Sequence, residues 1–263
     1  MMPLRYADTC GACGRTLPAG TQAGYDRNSR KVTCVVCLPL GLDDPAFASG
    51  TAGASAQREH DRRAKRHEKR LRAAHPELGN EPLTGREPRH IAAWQTGARG
   101  EEILGAQLDK LKLQGVQTLH DRRIPGTKYN IDHIAIGPRG IYVIDAKKYK
   151  GMVRKQLNGL FWTRTEKLIV GRRNQTKLAA GVKWQISHVE SALESAGITG
   201  IPVFGMLCFV EGNWPLFSSS FAIDGIEVLW PKAASKQVVS PGFLGADQAQ
   251  ALHRVLALSL PSA

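Results

Sequence analysis

Aromatic residues are scarce in this chain, 6% of 263 residues. No apolar run is long enough to cross a bilayer. The longest, Ile201 to Val210, is broken by Pro202 and Gly205 and falls far short of the roughly 20 residues a membrane-spanning helix needs. The first ten residues carry Arg5 and Asp8 and no apolar signal core. A Gly-Lys-Ser/Thr phosphate loop is missing, which argues against an ATP-driven motor. So is a Gly-x-Ser-x-Gly elbow, which argues against a serine hydrolase. Gly and Pro, at 27 and 14 residues, show no collagen or solenoid period. Acidic residues are few: 23 stand against 36 Lys and Arg, a net charge of +13. That balance predicts a polyanionic partner, nucleic acid rather than a membrane surface. Apolar residues at 42% and charged residues at 22% are ordinary globular values and exclude wholesale disorder. The expectation is a soluble, cytoplasmic, nucleic-acid-binding protein.

Four of the five cysteines form two Cys-x2-Cys knuckles, Cys10 with Cys13 and Cys34 with Cys37. The spacing matches a zinc ribbon, in which each knuckle gives two thiolates to one tetrahedral Zn²⁺. The alternatives are two disulfides or four unrelated thiols. Without a secretion signal, the disulfides lack an oxidising compartment. A segment this short buries too little surface to fold alone, so the metal would supply its stability. Cys208 lies in an apolar run and reads as an inert buried thiol.

Composition divides the chain into three parts: a zinc-ribbon-like four-cysteine module at 1–42, a basic linker or charged helix at 43–89, and a main domain at 90–263. Arg58 to Arg72 holds eight Lys or Arg against Glu59, Asp61 and Glu68. It serves equally well as a grip on phosphates or as a solvated linker. Pro and Gly over 76–89 mark the boundary. In the main domain, apolar spacing predicts a helix over 101–113, starting near Gly100, and helices over 177–193 and 246–258. It predicts strands over 116–119, 129–136, 141–146, 203–210 and 226–230. The fold class is α/β, a mixed central sheet flanked by helices.

The most informative segment is the hairpin around Gly137-Pro138-Arg139-Gly140. If Ile136 pairs with Ile141, then Asp132 pairs with Asp145, with Cβ atoms roughly 5 Å apart. Lys147 points to the same face. Two carboxylates that close repel unless a cation lies between them, and a hard divalent ion such as Mg²⁺ or Mn²⁺ meets that need. Lys147 could then orient or deprotonate a bound water and neutralise an anionic transition state. Such a set in a basic protein points to phosphodiester hydrolysis. An Asp–Lys ion pair at a strand end fits the spacing equally well. His133 faces the other side of the sheet and reads as a packed core residue. Lys167, Arg172, Arg173 and Lys177 are candidate phosphate contacts. Trp214 and Trp230 read as packing residues.

Ile131-Asp132-His133-Ile134, followed by Gly140-Ile141-Tyr142-Val143-Ile144-Asp145-Ala146-Lys147 and Gly151, resembles the nuclease-related domain NERD. That family belongs to the PD-(D/E)XK nuclease superfamily, with its restriction-endonuclease-like core. Gly97-Ala98-Arg99-Gly100-Glu101 resembles the family's first-helix motif. The resemblance is strong over 97–151 and looser to about 195. It implies that Asp132 and Asp145 ligate Mg²⁺ or Mn²⁺, that Lys147 is catalytic, and that Glu101 is an outer ligand or water-positioning group. Gln185 matches a helix glutamine of the family, with Gln175 as its competitor. The implied activity is metal-dependent hydrolysis of nucleic acid, DNA rather than RNA, with the ribbon free to hold nucleic acid or a protein partner. The rival is a non-catalytic binding or adaptor protein that keeps the fold.

Overall fold

A computed structural model describes residues 2–38, 45–79, 87–158, 165–215 and 219–263. The domain boundary expected over 76–89 falls partly on residues 80–86, outside the described ones. Near the N-terminus, Met2–Pro3, Gln22–Asp26 and Lys31–Cys34 form a three-stranded antiparallel sheet, and Asp8–Thr9 pairs with Thr16–Leu17. The core of this module is small: Leu4, Cys10, Leu17, Ala23, Val32 and Cys34.

The basic segment is helix α1 (Ala54–Ala74). It packs on α2 (Arg89–Asp109), with the Arg63 guanidinium 5.0 Å from the Trp94 ring centre. Helix α2 starts well before Gly100. Three interior glycines, Gly97, Gly100 and Gly105, hide it from a propensity reading, yet two of them are close-approach points. A Cβ at Gly100 would lie 2.9 Å from the Lys148 Cβ, and one at Gly105 would lie 2.5 Å from the Ala52 Cβ.

Strands β1 (Gln117–Arg123), β2 (Asn130–Gly137) and β3 (Gly140–Lys147) form an antiparallel meander. A second hairpin, β4 (Val153–Asn158) with β5 (Thr165–Val170), forms a sheet of its own whose Val153, Leu168 and Val170 join the core of the main sheet, and it has no clear counterpart in the sequence pattern. Helix α3 (Lys177–Ser195) then crosses over to β6 (Val203–Phe209), parallel to β3. Strands β7 (Phe221–Ile223) and β8 (Ile226–Leu229) complete a six-stranded mixed sheet in the order β7–β8–β6–β3–β2–β1. Helices α4 (Pro231–Val238) and α5 (Ala246–Ser259) close the chain.

Each face of the sheet has its own core. Leu104, Leu108, Tyr142, Ile144, Met206 and Val238 gather on the side of α2 and α4. Ile134, Ile136, Val143, Val182, Leu207 and Leu256 gather on the side of α3 and α5. Cys208 is fully buried between strands, as its apolar setting implies.

One cation ties this assembly together. Arg122 is 1% exposed. It donates to the carbonyls of Leu260 (2.6 Å), Ala257 (2.6 Å) and Ala48 (3.0 Å), and to the Ser262 hydroxyl (2.8 Å). The helix C-terminus offers unpaired carbonyls and partial negative charge, so a buried guanidinium there is matched in both hydrogen bonds and sign. Arg122→Met leaves three carbonyls without that donor and should cost about 3 kcal/mol in urea unfolding. A loss under about 1 kcal/mol would show that the surroundings re-pair them.

His253 on α5 makes the fold sensitive to acid. Its ring is buried, with Nε2 lacking a partner among the described residues. Burial and the charges of Arg122, Lys112 and Arg254, against a backbone hydrogen bond with Thr118, hold its pKa down to about 4. The unfolded chain takes up that proton near pH 6.5. Stability is therefore unaffected above about pH 6.5 and falls as pH drops towards 4, by up to about 3 kcal/mol from this one group. Unfolding free energies of His253→Gln should follow a shallower slope than wild type across that window. Parallel curves would assign the acid limb to other groups.

Candidate nuclease site and metal centre

The β2–β3 register places the acidic residues. Gly137 pairs with Gly140 around a two-residue Pro138–Arg139 turn, and the pairs run back through Ile136–Ile141 to His133–Ile144. Asp132 and Asp145 are the next residues outward. There the ladder opens: the Ala146 N–H turns to the Asp132 carboxylate, at 2.9 Å. Asp145 is buried and hydrogen-bonds the Lys147 ammonium. Glu101, from α2, reaches the same place and accepts from the Gly53 N–H. Glu101, Asp132 and Lys147 line one cleft of about 700 Å³, with Arg89, Lys148 and Tyr149. Asp145 lies behind it as the partner of Lys147.

Electrostatics show how closely these groups are coupled. Burial and the charges of Asp121 and Asp145, against Lys147, push the Glu101 carboxyl up to about 7. Burial, with Glu101 and Asp145, lifts Asp132 well above the carboxylate range. Burial alone would lower Lys147, but Asp145 and Asp132 outweigh it and hold the ammonium above its ordinary pKa. Lys147 therefore keeps its proton at neutral pH.

Asp121 was not among the residues expected here. Its neighbours pair as His120–His133 and Arg122–Ile131, which brackets it opposite Asp132, and its φ is +49°. The predicted strand ends at Leu119, and extending it through His120-Asp121-Arg122-Arg123 is the signal that would have found the residue. Its carboxylate accepts from the Ser55 N–H (2.6 Å), the Ser55 hydroxyl (2.6 Å) and the Asn130 amide (3.0 Å). It thus fastens the start of α1 beside the cleft.

Several other expectations can be placed. His133 is buried beneath α2, where a Cβ at Gly105 would lie 3.4 Å from its ring; its Nδ1 is 2.9 Å from the His120 Nδ1, and His120 in turn meets Asp109 at 3.1 Å. Burial and His120 hold His133 well below its ordinary pKa, so it is a neutral core residue. Gln185 donates to the Asn130 carbonyl at 3.3 Å and leaves a buried Oε1 without a partner among the described residues. Trp214 and Trp230 pack on each other, ring centres 5.0 Å apart. Lys167 lies on β5, Arg172 and Arg173 follow it, and Lys177 opens α3. None of these four lines the cleft.

The cysteines converge. Ligand atoms of Cys10, Cys13, Cys34 and Cys37 all lie within 4.8 Å of one another. The Cys13 and Cys34 sulfurs are 3.8 Å apart, close to the edge of a tetrahedron of about 2.3 Å metal–sulfur bonds. All four are free thiols. At Cys10, burial is outweighed by the N–H groups of Cys34, Ala12 and Cys13, which bring the thiol down to about 6. This donor set fits Zn²⁺. Among the described residues it is the one group of three or more such ligands at that spacing; the carboxylates at the cleft stand farther apart.

Comparison with known proteins agrees with this geometry. Residues 96–210 match the model of the nuclease-related domain family. That stretch contains Glu101, Asp132, Asp145, Lys147 and Gln185 and leaves the cysteine module outside it. An uncharacterized protein of Bacillus anthracis is 29% identical over 85 residues, which cover 31% of this chain and 40% of the relative. The chain thus spans less than half the length of that relative. No solved structure matches significantly. None of the described helices is long and apolar enough to cross a membrane. In the region that carries the cleft, the chain is similar to nuclease-related domains.

Proposed function

We propose that this chain is a Mg²⁺- or Mn²⁺-dependent nuclease with a PD-(D/E)XK-type site, acting on nucleic acid with DNA as the expected substrate. The observation that carries this reading is the meeting of Glu101, Asp132, Asp145 and Lys147, from three separate elements, within a match to the nuclease-related domain. Three carboxylates face one ammonium there, a surplus of negative charge that one divalent ion would offset. Asp132 and Asp145 would hold the ion, with Glu101 outside them. When bound, it supplies Lewis-acid polarisation of the phosphate and acidifies its water. Lys147 keeps its proton and lends a fixed positive charge to the anionic transition state. Glu101 orients the attacking water from the α2 side of the cleft. Helix α1 and the ribbon supply salt-sensitive binding to phosphates, and the four-cysteine module holds a structural Zn²⁺.

One observation favours a second reading, a non-catalytic binding or adaptor protein. Asp145 is engaged with Lys147, and the carboxylates are not drawn to one-ion spacing.

Single-stranded, double-stranded and branched DNA, and RNA, incubated in Mg²⁺, Mn²⁺ or EDTA, distinguish the two. Metal-dependent cutting should fall by roughly 100-fold or more in Asp145→Asn and in Lys147→Ala, with melting temperatures near wild type. Cutting that survives both changes would refute the assigned site, and binding without cutting would favour the adaptor. For the ribbon, purified protein should carry about one zinc per chain, lost in Cys13→Ser. Chelation should then remove hydrogen-exchange protection from residues 8–38 while the six-stranded sheet keeps it. Metal-free protein with that protection intact would contradict a structural zinc.

A further inference from the structure

Three of the chain's few aromatic side chains meet in a row on the surface. Tyr129 and Trp184 touch edge to face, ring centres 5.5 Å apart, and Trp184 meets His188 in the same manner at 4.4 Å. Tyr129 is 55% and Trp184 39% exposed. An edge-to-face contact spends the face of only one ring, so each pair leaves a ring face uncovered by its partner. The row is fixed in place rather than loosely hung. Tyr129 immediately precedes β2, Trp184 lies on α3, and Gln185 donates from α3 to the Asn130 carbonyl at 3.3 Å.

Charge borders the row. The Lys128 ammonium lies over one face of the Tyr129 ring, 5.7 Å from its centre, and so adds its charge where a base on the other side would stack. Lys128 and Arg123, with Arg58 and Arg62 of α1, line a neighbouring hollow of about 310 Å³. Lys128 and Arg123 form no ion pair among the described residues. Aromatic faces beside cations are the pattern that binds unpaired nucleic acid, in which bases stack on rings and phosphates follow the positive charge. A duplex keeps its bases stacked on each other and gains nothing from such faces. Tyr129 stands three residues before Asp132, about 10 Å along an extended strand.

We propose that Tyr129, Trp184 and His188, with Lys128 and Arg123, form a platform for single-stranded nucleic acid that leads to the cleft lined by Glu101, Asp132 and Lys147. This rests on the nuclease reading for what happens at the cleft, but not for the binding itself.

The test is fluorescence anisotropy in EDTA, with labelled 12-nucleotide oligo-dT and oligo-U and a 12-base-pair DNA duplex. Tyr129→Ala/Trp184→Ala, at an unchanged melting temperature, should lose roughly 10- to 100-fold in affinity for the single strands and less than about twofold for the duplex. Tyr129→Phe/Trp184→Phe should restore most of the single-strand affinity. Unchanged single-strand affinity in the alanine variant, or equal loss on strand and duplex, would overturn the platform. Cleavage measured in parallel separates the two ideas. A platform that binds strands in a protein that never cuts refutes the nuclease alone, and wild-type cutting by the alanine variant with full strand affinity refutes the platform alone.

Discussion

The cleft depends on the register of one hairpin. Strands β2 and β3 are joined by a turn pressed between two other parts of the chain. A Cβ at Gly137 would lie 2.0 Å from the Val238 carbonyl oxygen, and one at Gly140, where φ is +148°, would lie 2.4 Å from that of Pro202. Glycine is the residue that fits both places. With the turn clamped, the ladder has one register, and a slip of one residue would send every side chain to the wrong face. Ile134, Ile136, Ile141 and Val143 would leave their core, and Asp132 would no longer lie level with Asp145. Core packing and site geometry are thus specified by the same pairing.

A second layer of organisation surrounds that hairpin. Residues 48–58 cross the edge of the sheet and are held to it by polar contacts: Ala48 to Arg122, the Ser49 carbonyl to the His120 N–H at 2.6 Å, Gly53 to Glu101, and Ser55 to Asp121. The strongly basic helix is therefore fixed at its start. Its N-cap Gly53 meets Glu101 of the cleft and its first turn holds the neighbouring Asp121, while its arginines continue outward along α2. Anchoring of this kind sets the direction in which the positive charge extends from the cleft.

Features with a short sequence span were readable in advance. Two knuckles of fixed spacing specify a four-sulfur cluster, and a glycine-bounded turn between two apolar runs specifies a hairpin. The residues that frame these features were harder to read, because their reasons lie far away in the chain. The start of α2 is masked by glycines whose explanation is contact with Ala52 and Lys148. Arg122 lies in a polar run beyond the end of the predicted strand, and its partners are residues 48 and 257–262. Tyr129 and Trp184 are 55 residues apart in a chain poor in aromatics, and only the packing of α3 on the start of β2 brings them together. Local pattern shows what each segment can be; these long-range contacts decide what it does.

The contacts of Arg122 also govern the order in which the protein can mature. Synthesis delivers the sheet edge and the segment around Ala48 long before α5 exists. Yet the guanidinium buried at that edge takes most of its partners from Ala257, Leu260 and Ser262, and Val35 and Phe47 share a core with Val255 and Leu256. Until residues 246–262 have been made, a cation and an apolar surface near the N-terminal module remain solvated. Val35, Phe47, Ala48 and residues 246–262 consequently reach their packed state together, as a late, non-local step.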